Sequence, residues 1–535
     1  MSRNYAKISG LSNRNVSTPQ SQKARPEQIL NAAGGYVFKS DEFEQLRKFL
    51  ILGSTGGTYY VDAKKLTKYN ADNIVELFSD SVKGKQAVDE IINISQEGRA
   101  IKNDPAIFAM AIAASCNNDS VKRYALGNLH KVCRTSTHLF TFVTFCDSMR
   151  GWGRGLRTSI SDWYLNKNVK DLALQVCKYP RRRVEGEASW SHLDLFRKVH
   201  LRPKNDDMSL LFRYVVKGVE AFSNTELNKL KKNENLRYIW AHERAKETTD
   251  SSELIELINE FGLLRESIPN TMYSKEVWQA LLEDMPLTAM IRNLRNMSNH
   301  SVFAPLSNES KYVCERLRDQ DLIQKSRVHP MFILSALREL DGTVSSNICS
   351  ALEDSFYLAF KNVEPTNKNI LLALDVSGSM TYNMAHGINM NCNEAAAAMA
   401  MVIARSEPNH HIMGFSTNFV DLGISSKDTL AVAAEKARID FGGTDCALPA
   451  IWAAKNNINV DAFVILSDNE SWAGTTHVFQ AMEQYRKKMN KPNAKLVSVA
   501  MACNDSKLTD PNDKNSIDIV GFDSSAAQFI AEFIR

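Results

Sequence analysis

At 535 residues, with 44% hydrophobic and 24% charged side chains, the chain is too long for one ordinary core and too apolar for a disordered one. The net charge of +4 is unevenly held: residues 361–535 carry 15 Lys and Arg against 19 Asp and Glu, whereas residues 121–240 carry 23 against 11. Nine cysteines, an odd number without a C-x-x-C pair, exclude a disulfide framework or zinc knuckle and fit reduced thiols in the cytoplasm, with the nucleus as a second location.

Residues 1–26, rich in Ser, Asn, Gln and Arg and lacking the apolar core of a signal peptide, are expected to form a flexible lead-in. From about Ser40 to Ala359 the pattern is almost wholly helical, within a helical-repeat module placed at 27–363. Asp104-Pro105 reads as a cap followed by proline at the first helical position, with Ile107, Phe108, Ala111 and Ile112 on one face. Ser252-Glu253 opens a second stripe (Leu254, Ile255, Leu257, Ile258, Phe261) closed by Gly262. Met285-Pro286 precedes Leu287, Met290, Ile291 and Leu294. Each short helix alone would expose its apolar face, so stacked helix pairs, an α-solenoid, are expected.

Glu364-Pro365-Thr366-Asn367 punctuates a change of architecture, and the second domain is placed at 364–535. Strands are expected at 370–374, 411–415, 419–422, 462–467, 496–500 and 517–520. Helices are expected near 391–405, 446–457, 475–489 and 524–534. This alternation predicts a doubly wound α/β domain. The apolar stretch 395–405 is too short to cross a bilayer, and no membrane partner is expected.

Two of those strands end in carboxylates. Ile370-Leu371-Leu372-Ala373-Leu374 runs into Asp375-Val376-Ser377-Gly378-Ser379, and Phe463-Val464-Ile465-Leu466-Ser467 runs into Asp468; Gly442-Gly443-Thr444-Asp445 lies between them. Ligands of open α/β sheets sit beyond the carboxyl ends of the strands, so both aspartates are expected to meet there. The donors are all oxygens, which suits a hard cation such as Mg2+. Ordinary strand ends with capping Ser and Asp are the plain alternative. An aspartyl phosphotransferase would carry a second Asp where Ser377 stands. No G-x-S-x-G surrounds Ser379, and a two-metal nuclease needs more than this one cluster of carboxylates.

The order Asp-x-Ser-x-Ser, Thr, Asp resembles the metal-ion-dependent adhesion site of von Willebrand factor A domains. That resemblance implies Asp375, Ser377 and Ser379 as ligands, with Thr444 and Asp468 ligating directly or through water, and an open position for an Asp or Glu of a protein partner. The helical part resembles the Telomerase–Ro–Vault (TROVE) module at Leu52–Val61, Thr137–Phe142, Trp152-Gly153-Arg154, Lys178-Tyr179, Trp190–Leu195 and Met285–Ala289. Together the two halves resemble the 60-kDa Ro ribonucleoprotein family. The resemblance implies a ring of HEAT-like repeats followed by the A domain. It also implies Y RNAs, a class of small non-coding RNA, on a basic outer surface and single-stranded 3′ ends of misfolded RNAs in the ring. The link 180–189 is longer than is usual in the family, and the loop at Asp341-Gly342-Thr343 is shorter.

For RNA contact the sequence offers Arg181, Arg182 and Arg183 beside Tyr179, because guanidinium groups fork onto phosphate and aromatic rings stack on unpaired bases. Lys170 and Lys178, with Lys167, fit one helical face. His192 could reach phosphate or base, or be a core histidine. Arg123, Lys131 and Arg134 form a further set, with Arg154 in the Trp-Gly-Arg motif. The resulting expectation is a non-enzymatic RNA-binding scaffold and quality-control factor. The alternative is a metal-dependent protein-interaction module with the helices as a spacer.

Overall fold

The computed structural model describes residues 17–53, 74–179, 190–304, 307–340, 342–360, 364–382, 390–439 and 442–535. From Glu42 to Leu358 the described chain is helical apart from its connections, in helices mostly 8 to 17 residues long. Side-chain caps begin many of them. Asp80 accepts from Val82 and Lys83 N–H ahead of Ser81–Glu97, and Asp250 accepts from Ser252 N–H ahead of Ser251–Phe261. Gly262, at φ 64°, closes the latter helix in the left-handed conformation. At Asp104–Ser115 the cap position is Asn103, so Asp104 stands inside the first turn, where its charge favours the helix N-terminus.

Neighbouring helices pack in pairs, for example Asp104–Ser115 on Ser136–Met149 and Asn308–Arg318 on Ser346–Leu358. The two ends of the array also meet. Arg327 Nη1 donates to Gln96 O at 2.8 Å, and a His329 ring nitrogen lies 3.2 Å from Arg99 O. The expected solenoid therefore closes on itself. Among the described residues no helix is long and apolar enough to cross a membrane.

The second domain is built on β3 (Ile370–Asp375), β4 (His410–Phe415), β5 (Phe419–Asp421), β6 (Ala462–Ser467), β7 (Lys495–Ala500) and β9 (Ser516–Val520). Their order is β5-β4-β3-β6-β7-β9, with only β5 antiparallel. Strands β3 and β6 are buried along their whole length, which is why they read as unbroken apolar runs. Helices Cys392–Ser406, Val478–Lys488 and Ser524–Ile534 follow the expected pattern; the helices Gly378–Tyr382 and Leu430–Lys436 were not anticipated.

The start of the chain departs from expectation. Residues 17–26 are not loose: Thr18 N–H donates to Gln480 Oε1 (3.0 Å), Gln20 N–H to Gly474 O (3.2 Å), and Arg25 pairs with Asp510 (2.5 Å). They lead into a hairpin of β1 (Ile29–Leu30) and β2 (Tyr36–Lys39). Strand β2 then pairs with β8 (Ser506–Lys507) of the second domain. Asn31 Nδ2 donates to Ser471 O at 2.8 Å, and a Cβ on Gly35 would lie 2.0 Å from that same oxygen, so only glycine allows the approach. This N-terminal strap and the buried Lys48, whose Nζ donates to Ser506 O (2.6 Å), tie the helical array to the sheet domain.

Candidate metal centre and nucleic-acid interface

Parallel pairing of β3 with β6 puts Leu374 opposite Leu466, so the next residues, Asp375 and Ser467, are neighbours. Ser467 Oγ donates to Asp375 Oδ2 at 2.6 Å, and Asp375 Oδ1 accepts the Ser377 N–H at 3.0 Å. The chain then turns into the helix Gly378–Tyr382, which holds the Ser377 and Ser379 hydroxyls 3.2 Å apart. Asp468, one residue past β6, accepts the Glu470 N–H at 3.1 Å. Thr444 is held by its carbonyl, which accepts from Trp472 and Ala473 N–H at 3.1 and 3.0 Å. Gly474, at φ 97°, leaves room for Asp445: a Cβ there would stand 2.3 Å from that carboxylate.

Asp375, Ser377, Ser379, Thr444 and Asp468 are all buried. Burial first, and the Asp468 charge second, push the Asp375 carboxyl up to about 7; burial raises Asp468 as well, against the Ser379 hydroxyl beside it. Two facing carboxylates out of water need a cation or a proton. The Thr444 Oγ1 and Asp468 Oδ2 atoms are buried without a hydrogen-bond partner among the described residues. Unpaired buried oxygens are costly, and these belong to an all-oxygen set. The residues therefore fit a hard divalent ion such as Mg2+. Sequence reasoning missed Ser467 and Glu470. Glu470 is buried, accepts from Asn504 Nδ2 (2.9 Å), and is pushed up to about 8 by burial and by Asp468.

The basic residues fall into distinct groups. Arg123 is exposed on the helix Asp119–Gly127, and Arg154 is exposed at the start of Arg154–Leu165. Lys131 and Arg134 are joined, Arg134 Nη1 donating to Lys131 O (3.1 Å) and to Ser95 Oγ (2.9 Å). Lys167 is not on the same helical face as Lys170 and Lys178. It precedes their helix, Val169–Lys178, and its Nζ donates to Arg134 O at 3.1 Å. Lys131, Arg134 and Lys167 thus form one cluster, and ring closure brings in exposed Arg327, whose charge opposes that of Arg134. Arg327 is far away in the sequence, and no local pattern points to it.

Lys170 is exposed and Lys178 is half-buried, 3.4 Å from Glu266. Tyr179 caps the end of their helix. Arg181, Arg182 and Arg183, residues 54–61 of the motif Leu52–Val61, and Asp341 lie outside the described residues. His192 is corrected: it is fully buried, shares a 2.9 Å hydrogen bond with the Tyr164 hydroxyl, and burial holds its pKa down to about 3. It is a neutral core residue without access to RNA. Trp163 and Tyr164 are core residues too.

Comparison with known proteins follows this division. Residues 29–273 and 264–346 match the TROVE domain family, and residues 369–534 match the family described as Ro60 vWA domain. The chain is 33% identical to a Caenorhabditis elegans protein named RNA-binding protein RO60, covering 96% of this chain and 91% of that one. A Deinococcus radiodurans protein of the same name is 35% identical, over 97% of this chain and 98% of its own. The crystal structure of the Deinococcus radiodurans RO (RSR) protein superposes with a TM-score of 0.68 at 35% identity, covering 92% of this chain and 99% of that one.

Proposed function

The chain belongs to the Ro60 family, a TROVE domain followed by a vWA domain, and from that premise we propose that it is an RNA-binding protein rather than an enzyme. Its ligands are structured small RNAs of the Y RNA class and misfolded RNAs with a single-stranded 3′ end, and its role is ribonucleoprotein scaffold and quality-control receptor. The observation that carries this reading is the gathering of Lys131, Arg134, Lys167 and Arg327, from three separate stretches, at one place on a strongly basic region. A mere spacer has no use for the repulsion between Arg134 and Arg327; a polyanion relieves it. Full-length relatives named RNA-binding proteins support the same reading.

In the vWA domain Asp375, Ser377, Ser379, Thr444 and Asp468 would hold Mg2+ or a similar divalent cation. The ion would supply positive charge for an incoming Asp or Glu of a protein partner. The unpaired Thr444 and Asp468 oxygens favour this second role, which is compatible with the first because the two sites lie on different domains. Free thiols at all nine cysteines fit residence in the cytoplasm, and in the nucleus as well.

The test of the RNA reading uses fluorescence anisotropy at several salt concentrations. An RNA duplex with a 3′ single-stranded tail is expected to outcompete the same duplex with blunt ends, because a double helix is recognised by shape on an outer surface and cannot follow a single strand inward. Equal affinity would remove the 3′-end role, and no salt dependence would remove the phosphate-contacting surface.

A further inference from the structure

A cleft of about 510 Å3 opens beside Lys178, between Ser251–Phe261, the following residues 262–266, Lys275–Glu283 and Leu287–Asn299. Its buried side is apolar, with Ile258, Leu281 and Met285; its mouth carries exposed Arg265 and Arg292 together with two carboxylates, Asp284 and Glu266, the latter paired with Lys178. Neither arginine has a carboxylate partner among the described residues. Arg265 stands 5.9 Å from the Tyr273 ring, and Arg292 stands 5.2 Å from the Phe332 ring. Asn293 donates to Ala289 O at 2.8 Å and accepts from Asn296 Nδ2 at 3.3 Å, which fixes the Asn296 amide and leaves its oxygen as an acceptor. Thr288 and Asn259 add a hydroxyl and a second amide to the lining.

Two other clefts show what is particular here. One, beside Phe108 and Met149, has no basic residue in its lining. The other, between the helical array and the vWA domain, has two arginines, but Arg338 and Arg438 both bind the buried Glu394. Of these three clefts, only the one beside Lys178 combines arginines without a carboxylate partner among the described residues, an apolar floor and oriented amides.

We propose that this cleft takes one unpaired nucleotide of a bound RNA strand. The base lies on the apolar floor with its edge on Thr288, Asn259 and Asn296, and the flanking phosphates lie on Arg265 and Arg292. The volume falls in the range of small-ligand pockets, and amides and hydroxyls are suited to the hydrogen-bonding edge of a splayed base. Exposed Lys170 stands at the far end of the helix that reaches the mouth at Lys178, whose amino group is paired with Glu266, and leads the phosphate chain toward it. This inference rests on the RNA-binding reading and adds a base-selecting position to it.

The test measures binding of a fluorescent 12-nucleotide single-stranded RNA and of twelve versions, each with one abasic ribose. The wild-type chain is expected to lose at least about fivefold at one or two abasic positions and little elsewhere. Ala289→Trp, which fills the cleft without changing charge, is expected to bind the intact strand as weakly as the wild type binds its worst abasic version, with no further loss on abasic substitution. Thr288→Ala with Asn296→Ala, which keeps the cleft open and serves if the filled variant does not fold, is expected to reduce preference among the four bases at that position. If abasic losses are the same in the variants as in the wild type, the nucleotide site is overturned. If tailed duplexes bind and no abasic position matters, the cleft proposal alone falls; if neither tailed duplex nor single strand binds, the RNA reading falls with it.

Discussion

Ser467 Oγ lies 2.6 Å from Asp375 Oδ2, so the carboxylate that ends one central strand is aimed by the hydroxyl that ends the next. The bond takes one lone pair of Asp375 and turns the remainder toward Ser377, Ser379 and Asp468. Outer hydrogen bonds of this kind typically contribute ten- to a hundredfold in metal affinity. Ser467→Ala is expected to weaken Mg2+ binding about tenfold by calorimetric titration. Asp375→Ala is expected to abolish it while the helical array keeps its circular dichroism. Undiminished Mg2+ binding by the Asp375 variant would take that residue out of the centre.

The basic surface makes a separate claim. Replacing Lys131, Arg154 and Lys170 by alanine should weaken unrelated structured RNAs alike, since all three are expected to meet phosphate. Each lost contact should flatten the dependence of log affinity on log salt by about 0.7–0.9. A folded triple variant with the wild-type slope would move the interface elsewhere. Arg134 is left out of the set because its guanidinium also holds Ser95 and Lys131, so its removal would mix structure with binding.

Acid should unfold the helical array through its core histidines. His192, held down to about 3, and His242, held down to about 4, are both buried and stay neutral in the folded chain, whereas an unfolded histidine takes its proton near 6.5. The unfolded state therefore binds more protons below pH 6.5. Stability is fully present above that pH and is lost as pH falls toward 4 and 3. The slope is about 1.4 kcal/mol per pH unit for each histidine. Urea melts at pH 7.0 and 5.0 measure it, and His192→Gln, which keeps a polar group for Tyr164 but cannot take up a proton in this range, should flatten the difference. The raised Asp375 and Glu470 carboxyls act in the opposite direction over this range, so the variant is the test: a pH difference in His192→Gln equal to that of the wild type would show that His192 is not buried neutral.

Lys48 supplies a test of how the domains are joined. It comes from the first helix, Glu42–Leu52, donates to Ser40 Oγ and Ser506 O, and offsets the charge of half-buried Asp518 in β9. Lys48→Ala removes the first cationic influence on that carboxylate, leaving Lys507, the Thr509 hydroxyl and the Leu508 N–H around it, and breaks the hydrogen bonds to Ser40 and Ser506. The expected readout is a lower melting temperature and earlier proteolytic separation of the helical and sheet domains. A Lys48→Ala, Asp518→Asn double variant should recover part of the loss; a melting curve like the wild type's in the single variant would count against the link.

Much of the sheet domain was legible because its central strands are buried on both faces. Ile370–Leu374 and Phe463–Leu466 admit no polar residue, and each must stop where a carboxylate appears. That logic locates Asp375 and Asp468 from the sequence. The helical array was legible through caps and stripes such as Asp250 with Leu254, Leu257, Ile258 and Phe261. Long-range pairing was not. Strand β8 is two residues long and carries no alternation, and its partner, Tyr36–Lys39, is only four residues long and stands just ahead of the helical array. Arg327 joins Gln96 through a backbone carbonyl, a contact no side-chain pattern announces. His192 shows the opposite error: a motif residue with suitable chemistry proved to be packed against Tyr164 and Phe140.

The N-terminal strap also sets an order of events during synthesis. Domains usually fold as units, the first to emerge being the first to fold. Here Lys48 waits for Ser506, made 458 positions later, and the hairpin ahead of it waits for the same short strand. The opening of the chain must therefore remain unfinished until almost all of it has left the ribosome. A truncated product lacking that strand exposes an unmatched β edge at its other end, which marks it as incomplete to any factor that recognises open strands.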